Sequence, residues 1–153
     1  MTSNSNQDQP WYQDGLRFFC SRCNRCCRHE SGYVFLSEQD ISRISQGLGQ
    51  SRNHVIDKYT KTVNLGLVKR ISLLEQDNFD CVFWDKGGCT IYDHRPLQCQ
   101  AFPFWPQNLD NPGAWEEISE ECPGINLGAT HSKNAIKQWL KKRTNEPFLE
   151  PKP

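Results

Sequence analysis

A chain of 153 residues suits a single domain with a modest core. Apolar residues make up 36% of it and the mean hydropathy is −0.75, so that core is expected to be thin, which is where a bound metal adds most to folding. Its 18 basic and 18 acidic side chains cancel, leaving no charge excess to recruit nucleic acid or an anionic membrane.

In chain order, residues 1–14 are polar and aperiodic and read as a flexible tail, without the basic-then-apolar order of a signal peptide. GLRFFC then leads into CSRCNRCC, residues 20–27, which packs four of the eight cysteines into one short stretch. SGYVFLS, aromatic and β-branched behind a glycine, predicts a short strand. Ser37 with Asp40 three residues on predicts a capping box, and Ile41, Ile44 and Leu48 recur at helical spacing up to a stop at Gly47 and Gly49. A second helix is expected from Ser51, as its cap, through Val55, Ile56, Tyr59 and Val63. KRISLLEQ and FDCVFW predict strands, the latter far too short for a membrane span, with DKGG a turn and CTIY the returning strand. Pro96, Pro103, Pro106, Pro112 and Gly113 among aromatics predict a folded loop region over 93–114. Thr130 is the expected cap of a last helix through Ala135, Ile136, Trp139 and Leu140, which Pro147 ends. The fold class expected is α+β: one small domain over 15–144 with short strands, two or three helices and irregular loops around a cysteine site, and flexible tails at 1–14 and 145–153.

With no export signal read, the expected compartment is the cytoplasm, where thiols stay reduced and clustered cysteines point to metal or thiol chemistry before disulfides. Cys20, Cys23 and Cys26 recur every third residue, a spacing that lets sulfurs converge on one centre, as in zinc knuckles and iron–sulfur loops. The run is similar to the C-x2-C-x2-C stretch of bacterial ferredoxins, but Cys27 follows at once and the fourth cysteine with its proline is missing. Adjacent side chains diverge, so Cys26 and Cys27 suit two metals, or one ligand and one spectator. The other four cysteines are dispersed. Cys81 and Cys89 fall on the arms of the predicted hairpin, with Cys81 readable also as a small core residue; Cys99 and Cys122, beside Pro and Gly breakers, read as ligands on tight turns. Arg17, Arg22, Arg25 and Arg28 thread the first cluster while acids are absent from 15 to 29, which suits an anionic thiolate centre or, alternatively, a solvated basic loop. His29 is a candidate substitute ligand, His94 reads as a turn residue, and the aromatics of AFPFW read as core shielding the cysteine loop.

Five blocks stand in one order: CSRCNRCC (20–27), FLSEQDI (35–41), DCVFW (80–84), CTIYDHRPLQCQAFPFW (89–105) and CPG (122–124). On these the chain, over residues 16 to 128, resembles the YkgJ-type cysteine-cluster family of zinc- or iron-chelating domains. The resemblance implies metal chelation through these cysteines, and related domains attached to enzymes such as flagellin lysine methylases imply a supporting role in catalysis by analogy. Gln100 stands where the family carries arginine, which would leave the charge balance to Arg95 or Arg28.

The expected function is a metal-binding protein in which Cys20, Cys23, Cys26, Cys27, Cys81, Cys89, Cys99 and Cys122 chelate iron, as the ion or in an iron–sulfur cluster, or zinc, with a redox or sensing role. The alternative is a metal- or thiol-dependent enzyme, or an accessory subunit of one, using Cys26 and Cys27 or an open metal position near Asp93 and His94. No Gly-rich cofactor loop or His-Glu-x-x-His helix supports it. A protein partner could meet the basic run KQWLKKR, which reads equally as a solvated helix face.

Overall fold

The computed structural model describes residues 9–21 and 32–151. These form two compact units, one drawn from Met1–Ser21 and Pro103–Lys141, the other from Arg22–Phe102 and Lys142–Pro153. The architecture is α+β, with short antiparallel strands in two-stranded sheets. Among the described residues there are five α-helices rather than two or three, and none is long and apolar enough to cross a membrane.

In the larger unit the capping box forms as expected. Ser37 Oγ accepts from Asp40 N at 3.1 Å and Asp40 Oδ2 accepts from Ser37 N at 2.9 Å, opening α1 (Glu38–Leu48), which closes at Gly49. Ile41 and Ile44 are fully buried, facing the core one helical turn apart. Ser51 caps α2 (Arg52–Tyr59), but the helix does not reach Val63. Thr60 to Asn64 instead form β2 (Thr60–Asn64), paired along its whole length with β3 (Lys69–Leu73). Three of those five residues are β-branched, and cross-strand pairing decides their state over helical spacing.

The described residues of the stretch expected as a strand at 31–37 make only isolated bridges, Phe35 with Ser72 and Ser37 with Phe148. FDCVFW and CTIY contribute just β4 (Trp84–Asp85) and β5 (Gly88–Cys89), because the chain turns before and after that short hairpin. The core gathers Leu36, Ile41, Ile44, Val55, Ile71, Leu73, Phe83 and Ile91. Beyond a 3₁₀ turn at Tyr92–His94 comes α3 (Leu97–Ala101), inside the stretch expected to be loop. At the C-terminal end of the unit, Leu149 N donates to Leu36 O at 2.8 Å, and the Phe148 ring centroid lies 4.7 Å from the Arg70 guanidinium and 3.9 Å from that of Arg143.

The smaller unit is built on β1 (Leu16–Phe18), antiparallel to β6 (Ile125–His131), with an irregularity between Arg17 and Phe18. Its core comprises Tyr12, Leu16, Phe104, Leu109, Trp115, Ile125 and Ile136. Phe104 stacks on Trp115 with ring centroids 5.8 Å apart, and Trp11 Nε1 donates to Leu109 O at 2.7 Å. Asn111 caps α4 (Pro112–Glu117), whose first residue is the proline that reads as a breaker in sequence but suits a helix start. The last helix, α5 (Lys133–Asn145), is capped by Ser132, not Thr130, since Thr130 is engaged in β6 opposite Arg17.

Candidate metal centre

Five of the eight candidate cysteines lie among the described residues. Cys23, Cys26 and Cys27 do not, and neither do His29, Arg22, Arg25 and Arg28. In the smaller unit the β1–β6 pairing runs on past Phe18, with Phe19 N donating to Gly124 O at 3.1 Å. The exposed Cys20 follows Phe19 directly, and Gly124 closes the turn 122–124 that carries Cys122. Cys122 is held there by Cys122 N donating to Ile118 O at 2.8 Å and by Ile125 N donating to Cys122 O at 3.3 Å. It packs half-buried against the Trp115 cluster. Backbone pairing thus joins the residue before Cys20 to the turn that carries Cys122.

In the larger unit, Cys81 and Cys89 both pack half-buried against the Leu36 cluster, so the core role left open for Cys81 is visible without removing its sulfur from consideration. The Cys81 carbonyl accepts from Trp84 N at 2.8 Å and from Gln76 Nε2 at 3.0 Å, while Cys89 faces Trp84 across the hairpin. Cys99 lies in the first turn of α3, its N donating to Pro96 O at 3.0 Å. Backbone hydrogen bonds thus anchor Cys81 and Cys99 at turns, and strand pairing anchors Cys89 in the short hairpin. Thiolate donors of this kind match zinc and iron. Among the described residues, no three or more His, Cys, Asp or Glu side chains come together closely enough to hold an ion.

Arg17 and Arg95, the described members of the arginine set, take other partners. Arg17 Nε donates to Gly128 O at 2.9 Å, and the Arg95 guanidinium lies 3.8 Å from the Tyr92 ring centroid. Gln100 Nε2 donates to Arg95 O at 2.6 Å, bracing the turn ahead of Cys99. His94 packs its ring against Gly47 in the 3₁₀ turn. Two residues beside the cysteines were not legible as site residues. Asp40 Oδ1 accepts from Leu97 N at 2.8 Å, and Gln98 accepts from Phe35 N at 3.2 Å while donating to Tyr33 O at 2.8 Å. The sequence marks Asp40 as a helix cap but carries no signal for a bond to a residue 57 positions away.

The family described as "CxxCxxCC: Putative zinc- or iron-chelating domain" matches residues 19–123. No solved structure matches the chain. The matched span opens one residue before Cys20, closes one residue after Cys122 and so contains all eight cysteines. The chain belongs to this CxxCxxCC family of zinc- or iron-chelating domains.

Proposed function

We propose that Cys20, Cys23, Cys26, Cys27, Cys81, Cys89, Cys99 and Cys122 supply the thiolates with which this protein chelates its metal in the cytoplasm. With iron, held as the ion or in an iron–sulfur cluster, the centre has a redox or sensing role; with zinc, closed thiolate sites are structural. The single observation that carries the reading is the coincidence of the family match with the cysteine span. The strand pairing at Cys89 and the backbone bonds at Cys99 and Cys122 support it, since contacts that orient a ligand raise metal affinity.

Purification without oxygen, a visible spectrum, and assays of iron, zinc and acid-labile sulfide test this directly. Brown protein with sulfide establishes the cluster, and colourless protein with stoichiometric zinc establishes the structural site. Folded, metal-free protein with intact thiols would overturn chelation. Single Cys→Ser variants are expected to lose metal at Cys20, Cys23, Cys99 and Cys122, with unequal losses at Cys26 and Cys27. Full metal content in all eight variants would remove the ligand set.

A further inference from the structure

Asp40 is a carboxylate with none of its surface exposed, in a unit whose sites of interest are cysteines. A buried carboxylate is stable only when its oxygens are satisfied, and here they are. Oδ2 accepts from Ser37 N at 2.9 Å, and Oδ1 accepts from both Leu97 N at 2.8 Å and Arg43 Nη1 at 2.6 Å. The bond to Leu97 is the informative one. Helix α3 begins after Pro96, which offers no side-chain cap, so the first backbone donors of that helix need an acceptor from elsewhere. Asp40 supplies it, and Cys99 follows Leu97 by two residues.

Between them, Gln98 is tied at both ends of its amide, accepting from Phe35 N and donating to Tyr33 O. Pro96 and Leu97 are fully buried. Cys99 therefore stands on a single helical turn that has no cap of its own and is pinned by two side-chain anchors on neighbouring residues.

We infer that Asp40 and Gln98 are positioning residues for Cys99, acting as a remote helix cap and a backbone clamp that hold its thiolate for the metal. The inference rests on Cys99 being a ligand. Groups that hold a ligand in place commonly govern metal affinity by about 10- to 100-fold when removed. In Asp40→Asn, the side chain loses one of its two acceptors and presents a donor to groups that already donate.

The test uses the full-length chain loaded with cobalt(II), whose sulfur-to-metal charge-transfer absorbance grows with each bound thiolate. Cys99→Ser is expected to lower that absorbance by one thiolate's share. Asp40→Asn and Gln98→Ala are each expected to weaken cobalt affinity by about 10- to 100-fold. The double variant Asp40→Asn/Cys99→Ser is expected to bind no more weakly than Cys99→Ser alone, because both changes remove one interaction. Ile44→Val, which loosens the same core without touching either bond, is expected to leave the absorbance unchanged. Gln98→Ala keeps the question answerable if Asp40→Asn does not fold. Full affinity and absorbance in Gln98→Ala, or additive losses in the double variant, would overturn the inference while leaving Cys99 a ligand. Full absorbance in Cys99→Ser would instead remove Cys99 from the ligand set, and the inference with it.

Discussion

Gly124 sits where the chain has no room for a side chain. A Cβ there would overlap the Phe19 carbonyl oxygen, and the glycine carbonyl accepts from Phe19 N at 3.1 Å. That close backbone approach joins the residue before Cys20 to the turn carrying Cys122. Gly124→Ala is therefore expected to force the two segments apart, costing about 1–3 kcal/mol in urea unfolding and lowering metal content in the same samples. Wild-type stability and metal content would show that the approach is dispensable. At this scale the sequence is legible where chemistry is local. Ser37 and Asp40 announce a capping box, and cysteines at every third position announce a centre. The second acceptor role of Asp40 was not legible, because its partner lies 57 residues away and nothing local encodes it. Gln100 was legible as a departure from relatives but not as the group that braces Arg95 O.

Helix α1 fixes the segment that leads to Cys99 from two places. Near its start, Asp40 holds Leu97 N; near its end, Gly47 lies so close to the 3₁₀ turn that a Cβ would fall 2.6 Å from His94 Cγ and 3.0 Å from His94 Cβ. These are the root atoms of the ring rather than its far tip, so the turn itself must move. In an open helix Gly→Ala stabilises by about 1 kcal/mol. Here Gly47→Ala is expected to destabilise by about 1–3 kcal/mol, and His94→Ala is expected to relieve most of that loss in the double variant. Thermal unfolding of the four proteins checks the cycle, and a stabilised Gly47→Ala would mean the helix and turn are loosely packed. The elements that escaped the sequence did so for two physical reasons. In α3 and α4, proline takes the cap or first helical position, where its fixed φ helps, yet in sequence it reads as a breaker. Strand β6, INLGATH, lacks clean alternation and carries positive φ at Asn126 and Gly128; its strand state comes from pairing with β1.

At the scale of the whole molecule, most of the described buried apolar side chains gather into two clusters. The larger unit is held by a cluster of eight buried apolar residues and the smaller by one of seven. Clusters of that size give little stability beyond the conformational entropy they must offset. Metal ligation would then contribute a large part of the folding free energy, since structural zinc alone supplies about 10–16 kcal/mol of apparent binding energy in small domains. Removing the metal with a chelator under reducing conditions is expected to lower the unfolding temperature by at least about 10 °C, or to abolish a cooperative transition, at about 2–4 °C for each kcal/mol in a domain of this length. Amide hydrogen exchange on the stripped protein then reads the ligand set by region. Protection should fall around Ile125 and Trp115 if Cys122 is a ligand, and around Ile71 and Phe83 if Cys81 and Cys89 are. Loss confined to one cluster would restrict the ligands to the cysteines that pack beside it, and an unchanged unfolding temperature after complete metal removal would show that the apolar clusters suffice and that the metal is cargo rather than a structural part.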